Sequence, residues 1–583
     1  MALRTSESPA VTIREVDLSG IVPAVTSSTG AIVGDFNWGP INQAILVGNE
    51  TELVDRFGSP TLVADSNNID FLSASHFLKY SGSLQVVRGK GSLEKNAVDS
   101  ADAGQAALVE NLADWNTDKS GHTTDGKRFF AKYAGKAGNS LAVSVCPWSS
   151  NNDSAFENWA YKGFFDAAPG TSDFVSARSA SGTAAHDEVH VAIVDEDGKF
   201  TGTPNTVLET WPFLSLATDA KATDGTTNFA LDVLNDRSAY VWAAGIGAQQ
   251  PTNVAAADFT TNTVTGTGRN ADTRSFNGGA QTTQLTLQNY DSAFDAFADE
   301  DVIQVDFLVA PGLPTTSAQD TIVERLNTIA NTRKDCVVVT SPAKEDIVNV
   351  QNPSTITDNL KAFAEGIPSS SYVIVDGNWL KVYDKYNDEY VFIPAASSTA
   401  GLMAATDFST APWFSPAGQR RGQYFGVSSL AWNPTKAQRD TLYKASVNPI
   451  VNLPGQGVLL FGDKTKLNRP SAFDRINVRR LFLVMERAIK AAAQNVMFEF
   501  NDEFTRAEFV NVVEPFLRDI KGRRGISDFR VVCDETNNTA NVIDNNQFVA
   551  DIFVKPARSI NYVTLSFVAV RTGVDFEEVV GLA

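Results

Sequence analysis

The β-α-β rhythm that begins at residue 301 constrains the fold more than any other stretch. DVIQVDFLVAPG (301–312) is an apolar run closed by a loop signal, and TSAQDTIVERLNTIANTR (316–333) repeats at helical spacing with Ser317 as its candidate cap. DCVVVTSP (335–342) is a second apolar run, and SYVIVDGNWLKVYD (371–384) continues the alternation. Short, fully apolar strands separated by amphipathic helices predict a mixed α/β core. Upstream, AIVGDF (31–36), QAILVG (43–48), a helix near Asp70–Tyr80 and the strand SLQVVRG (83–89) have the same character. They predict a discontinuous middle domain made of 21–90 and 301–440.

Between those halves the composition changes. Residues 91–300 are rich in Ser, Thr, Asn and Gly, with 13 Lys/Arg against 27 Asp/Glu. HVAIVDEDGKFTG (190–202) reads as a strand, a DG turn and a second strand. A polar, acidic, turn-rich block of this kind predicts a β-rich insertion that faces outward.

The chain as a whole carries a net charge of −20 over 583 residues, a length that suits about four domains of roughly 150 residues. That charge argues against direct nucleic-acid binding, because phosphates need a basic face. The three cysteines, Cys146, Cys336 and Cys533, have no metal spacing and read as reduced core residues. No apolar run reaches membrane-spanning length and the first residues lack a secretory signal, so folding in cytoplasm without membrane insertion is expected.

The last segment, 441–583, differs again. SAFDRINVRRLFLVMERAIKAAAQ (471–494) predicts a long helix capped by Ser471 with Asp474 as capping-box partner. Val478, Leu481, Met485, Ala488 and Ala492 share one face, and Arg479, Arg480, Arg487 and Lys490 fall on the opposite arc. Glu486 stands four residues before Lys490, the favourable order for a helix pair. Residues 464–530 hold 14 Lys/Arg and 9 Asp/Glu, so this region is basic within an acidic chain. An oppositely charged partner, or a solvated face with internal pairs, would account for it.

Catalytic motifs fail on inspection. NPIVNLPGQGVLLFGDKT (448–465) has Gly457 and Gly462 at phosphate-loop separation, but Asp463 stands where lysine is needed and Lys464-Thr465 arrive one residue late. The reading that remains is a Pro454-Gly455 turn entering an apolar strand at 458–461. HDEVH (186–190) has Asp187 in place of the zinc-protease glutamate and runs into a strand, and DEDG (195–198) lacks calcium-loop spacing. No GxSxG elbow occurs. No cofactor or metal is expected.

The ordered pieces nevertheless form a pattern. Asn448-Pro449, Pro454, Gly455, Gly457 and Gly462 with Lys464-Thr465, then INVRRLF (476–482), FLRDIKGRRGISDFRVVCDETNNT (516–539) and VADIFVKPARSINYVTLSFVA (549–569), resemble contractile tail sheath proteins. PWFSPAG (412–418), AGKAGNSLAVSV (134–145), VDEDGKFTGTPNTVLE (194–209) and VTIREVDLSG…AIVGDFNWGP (11–40) are also similar to sheath segments, and the whole looks most like sheaths of T-even-type phages. The resemblance implies an α+β multidomain protein with an α/β sheath core, an outer β-rich insertion and an inner C-terminal α/β domain. It implies a homo-oligomer, as six-fold rings or a six-start helix, around a tail tube and held by baseplate and terminator proteins. Strand exchange by terminal arms is implied too, with residues 1–20 (Val11, Thr12, Ile13, Arg14, Val16) and the tail from about 560 as candidates. Arg479, Arg480, Arg487, Lys490 and the loop cations Lys521, Arg523 and Arg524 would then face the tube or a neighbour. The sheath of a phage-derived injection system is the nearest alternative. A cytosolic α/β enzyme and a monomeric binding module are more distant ones.

Overall fold

The computed structural model describes residues 28–60, 65–99, 106–117, 129–149, 154–178, 186–246, 270–282, 284–559 and 561. The candidate arms at 1–20 and beyond 561 lie outside the described residues. Contacts divide the chain into a larger unit, Ala24–Pro412 with Pro416–Ala488, and a smaller one, Trp413–Ser415 with the chain from Ile489 onward.

The larger unit is built on a seven-stranded sheet. From one edge its strands are Val447–Asn448, Val373–Asp376, Val337–Thr340, Phe307–Val309, Gly30–Gly34, Leu84–Arg88 and Ala44–Val47. All neighbours are parallel except the last pair, where Ala44–Val47 closes the edge antiparallel. Period-two geometry sends successive side chains to opposite faces. Ala31, Val33, Leu308, Val338, Val373 and Val375 therefore enter one core, beneath helices Leu287–Phe294, Thr316–Arg333 and Pro353–Gly366. Ile32, Phe307, Val309, Val337, Val339 and Ile374 enter the other, with helices Asp65–Leu78 and Ala396–Ser409 and with Ile476 and Leu483. Both faces are covered, which is why these strands read as uninterrupted apolar runs.

Gly30 pairs with Phe307, 277 residues away, so the centre of the sheet joins two distant pieces of chain. The intervening residues form their own β structure. Thr206–Ser215, Glu188–Asp195, Leu141–Pro147 and Asp272–Ser275 make a four-stranded antiparallel sheet, and Phe129–Ala131 pairs with Val241–Ala243. Here the expected hairpin at 190–202 is longer than its DG turn suggests, because the second strand begins only at Thr206. Asp195 accounts for the difference: its carboxylate accepts the N–H groups of Lys199 (2.9 Å), Phe200 (2.9 Å) and Thr201 (2.8 Å) and folds 196–205 into a loop. Burial pushes its pKa up, but the Ser140 hydroxyl, with the Thr201 and Phe200 bonds, outweighs burial and holds it below the ordinary value.

Three further expectations change. Ser317 is inside its helix, which starts at Thr316, and that first turn is held by Glu345, whose carboxylate accepts the Thr316 N–H at 2.8 Å. Ser471 caps only the short turn Ala472–Asp474, and the long helix begins at Ile476. The boundary expected at 441 also moves, since the hairpin Ile450–Leu453/Gly457–Leu460 and the first part of helix Ile476–Gln494 belong to the larger unit.

The smaller unit holds helix Glu503–Gly522 and the antiparallel ribbon Ile526–Val532/Asp551–Pro556. Phe509, Val513, Leu517 and Ile520 give the helix one buried stripe, and Trp413 donates its indole N–H to the Arg523 carbonyl at 3.1 Å.

Candidate assembly surfaces

The glycine-rich stretch is a hairpin. Gly455 and Gly457 adopt φ of +77° and +76°, the left-handed region that glycine enters without steric cost. Asn448 bolts the hairpin to the sheet. Its amide donates to the carbonyls of Val375 (3.0 Å) and Lys464 (2.8 Å), and its carbonyl accepts the Lys464 N–H (2.8 Å). Gly462 must be glycine for a different reason: a Cβ there would stand 2.8 Å from Asn448 Oδ1 and 3.0 Å from its Cα. Asp463 is buried and pairs with Arg475 at 3.1 Å, and Lys464 donates to the Tyr443 carbonyl at 2.7 Å. The loop is a structural latch with its lysine already engaged. Asn448→Ala is expected to cost about 2–4 kcal/mol, since it removes the side-chain partner of the buried Val375 carbonyl and of the half-buried Lys464 carbonyl and N–H. A urea titration followed by tryptophan fluorescence checks this, and an unchanged midpoint would refute the latch.

The arginines of helix Ile476–Gln494 do not form the outward basic face expected of them. Arg479 and Arg480 are buried, and Arg487 is nearly so. Arg480 pairs with the buried Asp407 and donates to the Met403 carbonyl at 3.1 Å. Arg487 pairs with Asp306 at 2.7 Å and donates to the Asp335 carbonyl at 2.9 Å. Arg479 lies over the rings of Tyr372 (4.4 Å) and Phe473 (4.7 Å) and reaches Glu486 at 3.5 Å. Glu486 thus serves Arg479, not the expected Lys490. Only Lys490 of the four cations is exposed. Helical periodicity placed these arginines correctly on one arc. It could not show that Asp306 and Asp335, each just ahead of a sheet strand, and Asp407 of helix Ala396–Ser409 meet that arc.

Burial pushes the Asp306 carboxyl up to about 6 in spite of Arg487, and pushes Asp70 and Asp376 to about 7. Each has structural partners. Asp70 accepts the Asp35 N–H (2.9 Å) and the Tyr290 hydroxyl (2.6 Å), and Asp376 accepts from Ser341 (2.7 Å) and Thr399 (3.1 Å). His190, from the HDEVH run, accepts the Phe213 N–H at 3.0 Å on Nδ1 and has Nε2 2.8 Å from the Ala167 carbonyl. Asp187 holds Ser172 and Ser215. These residues are building material for strands and loops. Cys146, Cys336 and Cys533 are buried free thiols.

The smaller unit shows the opposite economy, with polar and apolar groups left on the surface. Lys521, Arg523 and Arg524 are exposed at the end of helix Glu503–Gly522. Lys521 meets Asp528 at 3.0 Å, and Arg523 meets Asp519 at 3.8 Å and lies over Trp413. Such exposed pairs contribute about 0–1 kcal/mol and exchange readily. The ribbon Ile526–Val532/Asp551–Pro556 has two strands and no third among the described residues, and Phe553 on it is 60% exposed. At the other end of the helix stand Phe498, Phe500 and Phe504, all exposed. The sequence reading missed these. VMFEFNDEF (496–504) was the available signal, being too aromatic for an ordinary helix–helix turn.

A doubly wound α/β core in which Asp70, Asp306 and Asp376 have structural partners, with a second unit that leaves strand edges and aromatic side chains exposed, is the class of protein suited to be an assembly subunit. A model of the phage tail sheath protein central domain matches residues 283–466, and one of the phage tail sheath C-terminal domain matches residues 468–569. The tail sheath protein of Vibrio phage KVP40 is 30% identical over 98% of this chain and 99% of its own length. That of Enterobacteria phage T4 is 31% identical over 99% of both. Among solved structures, the sheath tail protein of Listeria innocua shares the fold, with a TM-score of 0.52 at 11% identity over 92% of this chain and 96% of that one. The chain belongs to the phage tail sheath protein family: it is a structural component of the contractile tail of a virion, not an enzyme. No helix among the described residues is long and apolar enough to cross a membrane.

Proposed function

We propose that this chain polymerises into a helical sheath, as stacked six-fold rings or a six-start helix, around a tail tube anchored at a baseplate and closed by a terminator. The open ribbon Ile526–Val532/Asp551–Pro556 carries the reading. Two-stranded ribbons are marginal alone, and each outer edge presents a row of unpaired backbone groups that invites another strand. Extended segments of neighbouring copies fit that need by β-augmentation. Val11, Thr12, Ile13, Arg14 and Val16 supply β-branched sequence for one such strand, and the tail from about 560 for the other. Lys490 faces the tube in this reading, and the Lys521, Arg523 and Arg524 loop faces an acidic neighbour.

Contacts between unlike surfaces that do not close generate helices. Contraction then follows if the compact lattice buries more apolar surface than the extended one. About 200 Å² per subunit would supply roughly 5 kcal/mol as an upper estimate, summed over many copies without nucleotide. Negative-stain electron microscopy of the full chain beside a form lacking residues 1–20 tests the arm. Hollow striated tubes are expected from the first and none from the second. Equal tubes from both would remove the arm from the mechanism.

A further inference from the structure

Helix Glu503–Gly522 ends in two surfaces of opposite chemistry. Ahead of and within its first turn, Met497, Phe498, Phe500 and Phe504 are 59%, 101%, 84% and 77% exposed, interleaved with the exposed carboxylates Glu499, Asp502 and Glu503. At its far end stand Arg518, Lys521, Arg523 and Arg524, all exposed; Arg518, Lys521 and Arg523 have surface pairs with Glu514, Asp528 and Asp519, contacts of the weak kind that exchange readily. At 1.5 Å per residue the 20-residue helix separates the two by about 30 Å. That is several Debye lengths at physiological salt, so the two ends of one copy cannot neutralise each other.

The aromatic tip is a built feature. Asn501 pins it from behind, donating to the Gln547 carbonyl at 2.8 Å and accepting from Arg506 at 2.8 Å. Phe498 is held at φ of +72°, a conformation that strains a bulky residue. The helix macrodipole accounts for acids at one end and bases at the other. It does not account for three phenylalanines held in water. An apolar cluster with an acidic rim marks a docking surface for a basic partner.

We propose that the aromatic-acidic tip of one copy docks head to tail on the basic end, residues 518–524, of helix Glu503–Gly522 in the next copy. The inference rests on the reading that copies of this chain polymerise. The contact is heterologous and does not close on itself, so repetition propagates a helix, as a sheath requires. A second copy suits the tip better than the tube does. Aromatic burial resists separation, whereas a surface that moves past the tube during contraction must let go.

Photo-cross-linking on assembled tails tests this, with p-benzoylphenylalanine in place of Phe498. A cross-link to a peptide containing residues 518–524 of another copy is expected. Cross-linking to the tube protein, to any other part of the sheath, or to nothing would overturn the docking and leave the sheath reading intact. Charge reversal gives a second readout. Glu499→Lys with Glu503→Lys, and separately Arg523→Glu with Arg524→Glu, should each weaken self-association by about tenfold or more, as judged by sedimentation velocity of the full chain. Mixing the two variants should restore pairing, because each then offers the other a complementary end. Unchanged association of both variants, or no recovery in the mixture, would also overturn it. All the altered residues are exposed, so folding is not at stake.

Discussion

Arg480→Ala is expected to destabilise the larger unit by about 3–5 kcal/mol, the usual cost of removing one partner from a buried ion pair. Arg480 and Asp407 have side chains only 4% and 7% exposed, and Asp407 would be left charged in the core. The same substitution strips the Met403 carbonyl of its donor and takes a guanidinium off the Phe307 ring. A double variant, Arg480→Met with Asp407→Leu, should recover most of the loss, since an apolar pair of similar volume carries no desolvation penalty. In urea the single variant should unfold at a midpoint lower by about 1 M or more, and the double variant close to native. If both variants unfold together, the pair is not what docks helix Ile476–Gln494 to the sheet. This result would also explain why these arginines are poor candidates for a tube-facing surface.

The second large effect is a dependence of stability on pH. Asp70 and Asp376 hold their protons up to about 7 and Asp306 up to about 6, all above the ordinary 3.8. A carboxyl whose folded pKa is raised binds more protons folded than unfolded. Its contribution is therefore full below about pH 4 and falls as pH rises, by about 1.4 kcal/mol per unit for each group, until its folded pKa is passed. Asp376→Asn, which keeps the shape and a hydrogen-bonding capacity, should remove one such slope. Between pH 5 and pH 8 the native chain should lose about 2–3 kcal/mol more stability than the variant. Parallel losses in the two proteins would show that Asp376 does not titrate in this range. Comparing variant with native cancels the general charge effects of an acidic chain.

Much of the larger unit was legible beforehand because its strands are buried on both faces. A strand such as Val337–Thr340, with neighbours above and below, can only be an apolar run, and a run bounded by a helix and a loop signal has few other readings. The hairpin around Gly455 was legible for an equally local reason, because left-handed backbone selects glycine. The site was less legible. Val478, Leu481, Met485, Ala488 and Ala492 are buried as their spacing implied, yet Arg479 and Arg480 on the other arc are buried as well. Spacing reports which residues share a face, and says nothing of how many faces are covered. Loop 195–206 misled for a similar reason, since a buried carboxylate that gathers three N–H groups outweighs the local turn preference of DG.

By itself, the sequence determined the local elements: the apolar strands, the helices between them, the glycine hairpin and the polar, acidic block in mid-chain. Its ordered motifs also determined the family. Tertiary structure alone decided that Gly30 lies beside Phe307, that Asp306 and Asp407 await Arg487 and Arg480, and that Phe498, Phe500 and Phe504 meet solvent instead of a core. The physical reason is range. Backbone preference and periodicity act within a few residues along the chain. Burial, ion pairing and exposure depend on which distant elements meet, and that is set by the free energy of packing the whole.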